Sequence, residues 1–371
     1  MRYMDTETGR HSFHRIILPA AFILSAVLLL CAARRLDGFA QWYSVTIYPL
    51  IVGSAGRLFG LLPFSLSEIL CSVLPLLIIA DAVRLMIHAS RRGDRKLTAV
   101  KIFLQHVFTL ASVLLLLYAA NCGVNYYREP FVPAEKLESS EVSEEDLVSF
   151  CDYTAEKLQD CYSAEAAEPP AYPEGKALRE KAVYSMENLS ETYTELRGTY
   201  PAPKHLTYMS RLFSMMGVSG IYSPFTVEAN VNGEMPGLEQ PFTSCHELSH
   251  LRGYMNEGEA NYIGWLACIG SDDDAFQRSG WLIAWSYAGS ALRQTDPDAF
   301  SSVYEKLPDG AIRELEDNYL FWHEHENQAS QVQDKVNDAY LKTNGQSSGI
   351  QTYGQVTDLM LMWYSDQDSS K

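Results

Sequence analysis

Positive charge is what this sequence has least of. Its 371 residues hold 46 Asp and Glu against 29 Lys and Arg. The shortage is uneven: 12 of the basic and 6 of the acidic residues fall in residues 1–122, so residues 123–371 carry 17 against 40, a net of about −23. A surface of that sign repels nucleic acid and anionic lipid headgroups, and a nucleic-acid partner is excluded. Cysteine is sparse as well. Cys31 and Cys71 lie in apolar runs, and Cys122, Cys151, Cys161, Cys245 and Cys268 make an odd set, which rules out a dense disulfide scaffold but leaves a Cys151–Cys161 pair open. Histidine numbers only nine, yet two of the nine stand four residues apart around a glutamate.

Charge is missing altogether from residues 16–33, an 18-residue run flanked by Arg15 and by Arg34-Arg35, long enough for one bilayer span. A cleavable signal peptide shares the charged start and apolar middle, but the paired arginines and the later apolar runs argue for retention. Phe39, Trp42, Tyr43 and Tyr48 then form an aromatic patch of the kind found at bilayer surfaces, and residues 45–62 read as interfacial. Ser65 and Glu68 form an S-x-x-E capping box opening a second span over 66–87, within which Asp81 and Arg84 can pair. A third run covers 102–121. Arg91, Arg92, Arg95, Lys96 and Lys101 crowd the loop between the last two spans, which places that loop in the cytoplasm and everything after the third span outside.

The chain thus divides into a membrane part with three transmembrane helices (1–122), a linker (123–140) and a soluble domain (141–371). From Ser143, apolar positions Leu147, Phe150, Cys151, Ala155 and Leu158 recur at helical spacing. Residues 164–174 are a loop, and helical patterns return over 177–196 and 204–216. Residues 226–232 differ: Val227, Ala229 and Val231 alternate with Thr226, Glu228, Asn230 and Asn232, the pattern of a half-exposed strand and a candidate edge for pairing an extended peptide. Residues 274–293 form an aromatic helix destined for the core, and 309–342 read as one long helix. His323 and His325, two apart on it, point to opposite sides and belong to a solvated face. Gly345 stops that helix before a last one carrying Val356, Leu359, Met360 and Trp363. The fold class is mainly α (α+β).

The densest chemistry lies at Ser244-Cys245-His246-Glu247-Leu248-Ser249-His250. Residues four apart share a helix face, so His246 and His250 can aim both imidazoles at one Zn2+ ion while Glu247 stands beside them. Glu247 would accept the proton of a water attacking a carbonyl. Two histidines and a glutamate also occur in ordinary helix turns, and the continuation decides the matter. Glu257-Gly258-Glu259-Ala260-Asn261 opens a second helical pattern and resembles the second helix of the gluzincins. That resemblance implies Glu257 as the third ligand and Asn261 as the brace of a ligating histidine, with Glu259 as the rival ligand two residues on. His246 to Gly253 also spells the metzincin opening, whose third ligand would be Asn256. A neutral amide is a poor zinc ligand, so that assignment fails.

Three N-terminal spans, the stretch Tyr222-Ser223-Pro224-Phe225-Thr226-x-Glu228-Ala229-Asn230, the two motif helices and Asp338-Ala339-Tyr340-Leu341-Lys342-x-Asn344-x-Gln346 together resemble a bacterial family of membrane-anchored, zincin-like proteins with no assigned substrate. The resemblance covers nearly the whole chain. It implies a multi-pass protein of the bacterial cell membrane with a zincin-like, mostly helical domain outside. Peptide or protein substrates and the lipid bilayer are the partners it implies. The expected activity is zinc-dependent peptide hydrolysis with Glu247 as general base, and the alternative is a zincin-fold binding or sensory ectodomain without turnover. An electrophile for the oxyanion is also needed, and Tyr340, Tyr353 and His323 are open candidates.

Overall fold

The computed structural model describes residues 4–91, 96–133, 143–162, 171–346 and 352–368. Arg92 and Arg95, residues 134–142 of the linker and residues 163–170 of the first loop lie outside them. Helices dominate, with one three-stranded sheet among the described residues. The chain separates into two compact units, one of Met1–Tyr48, Leu66–Arg128 and Pro224–Thr226, the other of Pro49–Ser65, Glu129–Ser223 and Val227–Lys371.

The first unit holds α1 (Met4–Arg35), α2 (Leu66–Arg91) and α3 (Lys96–Tyr118). Ile17–Arg35, Leu66–Arg91 and Lys96–Tyr127 are each long and apolar enough to cross a membrane. Their apolar side chains face outward: Leu76 is 64% and Ile79 59% exposed, which suits lipid and not a water-facing surface. Several of the polar groups in this unit are paired. Asp81 binds Arg84 at 2.8 Å and also takes His106 Nδ1 from α3 at 2.7 Å. Tyr43 donates to the Ala120 carbonyl (3.1 Å) and Ser44 to Asn125 Oδ1 (2.7 Å).

The second unit contains α4 (Glu144–Cys161), α5 (Gly175–Thr192), α6 (Ser210–Met215), α7 (Glu239–Leu251), α8 (Glu257–Ile269), α9 (Asp274–Thr295), α10 (Pro297–Tyr304), α11 (Asp309–His325), α12 (Gln328–Thr343) and α13 (Thr352–Asp368). α4 begins at a capping box, Ser143 accepting from Asp146 N while Asp146 accepts in return. Trp265 on α8 is fully buried at the core, edge-on to Trp363 (5.0 Å) and Trp281 (6.2 Å). Such ring pairs add about 0.5–1.5 kcal/mol each beyond their buried area. Arg278 on α9 is buried between the rings of Tyr172 (4.2 Å) and Tyr162 (5.7 Å), with its charge met by Glu314 of α11 at 3.3 Å. Both tyrosine hydroxyls also donate to that carboxylate. Cys151 and Cys161 both lie on α4, ten residues or about 15 Å of helix apart, too far to pair.

Three expectations of secondary structure are corrected here. Residues 226–232 do not form a half-exposed edge. β3 (Glu228–Val231) is the middle strand in the order β1-β3-β2 and is buried throughout. It runs parallel to β1 (Lys204–His205) and antiparallel to β2 (Gly220–Ser223). Its polar positions face partners instead of water: Asn230 accepts from Ser65 Oγ at 2.6 Å and donates to the Ile221 and Glu228 carbonyls, while Asn232 donates to Ser214 Oγ and Val218 O. The edge role passes to β2. Residues 204–216 are not helical throughout, because 204–205 supply β1 and only Ser210–Met215 is helix. The long helix over 309–342 is two, broken at Glu326–Asn327, where Asn327 and Ser330 form a capping box that starts α12. Residues 49–65, read with the membrane part, group with the second unit, where Lys204 Nζ donates to the carbonyls of Gly60 (3.0 Å) and Leu62.

Candidate metal centre

Helix α7 is enclosed on every side: Pro241 through Leu251 are all buried. Its hydroxyl side chains fit because each donates one turn back, Ser244 to the Gln240 carbonyl (2.7 Å) and Ser249 to the Cys245 carbonyl (2.9 Å). α8 crosses it closely at Gly264, where an added Cβ would stand 3.0 Å from His246 N and 3.2 Å from its Cα. Only glycine permits that approach. The connection between the helices is equally specific. Gly253 ends α7 with φ of 93°, a left-handed conformation that favours glycine. Asn256 then caps α8, its Oδ1 accepting from Glu259 N at 3.1 Å, so the residue at the metzincin ligand position is committed to the helix start.

This geometry brings His246, His250 and Glu257 together, with one donor atom from each within 4.8 Å of the others. His246 Nε2 lies 3.4 Å from Glu257 Oε2 and His250 Nε2 3.6 Å from Oε1. The two rings stand edge-on with centroids 4.6 Å apart. His250 Nδ1 contacts the Tyr254 carbonyl at 2.7 Å, which fixes the proton there and turns Nε2 toward Glu257. Asn261 lies beside His246. His246 Nδ1 and Asn261 Nδ2 are both buried without another hydrogen-bond partner, and the amide orientation with Oδ1 toward the ring gives Nδ1–H its acceptor. Two imidazole nitrogens and a carboxylate, with the imidazoles held from behind, are a donor set that fits zinc.

Glu259 is placed elsewhere. Its Oε1 accepts from Phe131 N at 2.5 Å, and the Phe131 ring packs on Tyr254 (5.3 Å), Tyr193 (5.3 Å) and Tyr262 (6.2 Å). Glu247 is buried beside the ligands with Oε2 lacking a partner. The backbone of β2 lies directly on it: a Cβ at Gly220 would collide with Glu247 Oε1 and stand 2.8 Å from Cγ.

The charges follow from burial and proximity. Burial disfavours a charged His250, but the Glu257 carboxylate beside it outweighs that and raises its pKa to about 9. Burial likewise opposes a charged Glu257, yet the two imidazoles hold it well below the usual carboxylate range. Burial lowers His246 and pushes Glu247 up to about 8.

Sequence reasoning missed Tyr287 on α9. Its hydroxyl pKa is raised by burial first and then by the carboxylates of Glu239 and Glu257. Nothing in its spacing separates it from the core aromatics Trp281 and Trp285 around it. Of the earlier candidates, Tyr340 is 38% exposed on α12 and His323 stacks on Tyr319 at 5.5 Å, while the side chain of Tyr353 is outside the described residues.

Comparison with curated proteins and with solved structures finds no match to this chain. A family pattern does match, over residues 43–361, from the aromatic patch ahead of α2 to the last helix. The chain belongs to that family, described as a protein of unknown function (DUF3810).

Proposed function

We propose that this chain is a membrane-anchored, zinc-dependent metallopeptidase whose second unit works outside the bacterial cell. The observation that carries the reading is the convergence of His246, His250 and Glu257 within 4.8 Å beside a buried Glu247 whose Oε2 has no partner. A carboxylate oxygen buried without a partner is costly to keep, and such groups gather at functional sites. The outward orientation is supported by Arg91, Lys96 and Lys101, which flank the connection between α2 and α3.

His246 Nε2, His250 Nε2 and the Glu257 carboxylate would hold the ion. Zinc bound there supplies a Lewis acid and a water of lowered pKa. Glu247 accepts the proton of the attacking water on Oε2 and returns it to the leaving amine as the C–N bond breaks. β2 pairs with β3 along one side and is the edge of the sheet, so an extended peptide added along its free side would pass Glu247 at Gly220.

The test is Glu247→Gln in the full chain, assayed on a peptide library with zinc measured in parallel. Zinc content and folding should persist while hydrolysis falls at least roughly a hundredfold. Equal cleavage by both proteins would assign the activity to other residues. Absence of cleavage by either would favour a binding or sensory ectodomain.

A further inference from the structure

A second site lies in the same unit, away from the ligands. α9, α10, α11 and α12 enclose a cleft of about 910 Å³. One wall is a ring cluster of Trp285, Phe300 and Tyr304, with centroids 5.6–6.4 Å apart. The other is α11, which presents Trp322 and Tyr319. The rings are held in place before any ligand arrives. Trp322 Nε1 donates to Glu239 Oε1 at 2.7 Å, an anchor in the first turn of α7, and Asn318 Nδ2 donates to the same oxygen at 2.8 Å. Along α9 the lining is small, Ser286, Gly289 and Ser290. Gly289 puts no side chain over the Trp285 indole, where a Cβ would stand 3.2 Å from Cε2.

Two features indicate what fits. The first is the pair of facing ring walls, Trp285, Phe300 and Tyr304 against Trp322 and Tyr319. The second is charge: Glu316, Glu326 and Asp334 line the cleft together with Arg293, His323 and His325, and His323 Nδ1 lies 3.5 Å from Glu326. Aromatic faces and an excess of carboxylates share one complement, a Lys or Arg side chain with its apolar stem. We propose that this cleft binds a basic peptide segment, seating a Lys or Arg side chain between the α9–α10 ring cluster and Trp322 and Tyr319 of α11. The cleft is a binding site in its own right and does not rest on peptide hydrolysis. It also reaches Gly217, three residues before β2, so a basic residue flanking a peptide on that strand has somewhere to go.

The test uses the full chain carrying Glu247→Gln, so that turnover cannot consume the probe. Fluorescein-labelled, end-blocked hexapeptides differing only in a central Lys, Arg, Glu or Leu are titrated by anisotropy, with tryptophan fluorescence followed in parallel. Lys and Arg peptides should bind at least about tenfold tighter than the Glu peptide and weaken with added salt. Tyr319 is 66% exposed, so Tyr319→Ala leaves the core intact. It and Asp334→Asn should each weaken Lys-peptide binding by about three- to tenfold with unchanged zinc content and melting temperature. Equal binding of the Glu or Leu peptides, or wild-type affinity in both variants, would overturn the proposal. So would tighter binding of a neutral disaccharide such as N,N′-diacetylchitobiose.

Discussion

Gly220→Ala is the sharpest probe of how Glu247, the proposed general base, is held, because one methyl group meets one side chain. The new Cβ would collide with Glu247 Oε1 and lie 2.8 Å from Cγ and 2.9 Å from Cδ, where ordinary contact begins near 3.4 Å. Either β2 or the Glu247 carboxylate must therefore yield by up to about 1 Å. Overpacking of this kind costs about 1–3 kcal/mol, and each 1 kcal/mol lowers Tm by about 2–4 °C in a domain of this size. A misplacement near 1 Å costs about a hundredfold in rate, so peptide hydrolysis should fall between about ten- and a hundredfold. His246, His250 and Glu257 are untouched, and bound zinc should stay at the wild-type ratio. The assay pairs library cleavage and metal analysis with a stability cycle. In a Glu247→Ala background the clash partner is gone, so Gly220→Ala should cost less there, with a coupling of about 0.5–3 kcal/mol. Wild-type turnover in Gly220→Ala, or a stability cost unchanged in the double variant, would refute the close packing as the reason for glycine at this position.

Other outcomes test other parts. Glu257→Ala should abolish stoichiometric zinc in the full chain while Glu259→Ala retains it, as read by metal analysis of the purified proteins, because Glu259 faces Phe131. A C-terminal reporter active only after export should be active, and a cytoplasmically active fusion would reverse the proposed orientation. Glu314→Gln leaves the Arg278 guanidinium, 2% exposed, without its countercharge, and should destabilise the unit by about 3–5 kcal/mol in a thermal melt.

What the sequence made legible follows the reach of its periodicities. His246 and His250 could be paired from spacing alone, because one helical turn fixes their relation whatever surrounds it. Glu257 came only from likeness to other proteins. Its position depends on a left-handed Gly253, an Asn256 cap and a close crossing at Gly264, none of which has a period. Alternation marked residues 226–232 as a strand but could not tell a polar side chain facing water from Asn230 facing Ser65 and two carbonyls. The break between α11 and α12 contains neither Gly nor Pro and is set by a cap at Asn327. Gly220 was invisible because it matters through Glu247, far away in the chain, and no local pattern reports a distant neighbour.

Phe131 carries a mechanical consequence. It lies within the stretch that reads as a passive spacer, yet its amide holds Glu259 on α8 and its ring sits against Tyr254, whose carbonyl orients His250. Tension along this stretch would thus reach His250 and the first turn of α8, which carries Glu257, through two residues. It would arrive at the turn joining their helices, without first having to deform the core around Trp265. A soluble fragment cut free at Glu144 would be a different object from the anchored protein, because it would lack the piece of chain that steadies that turn.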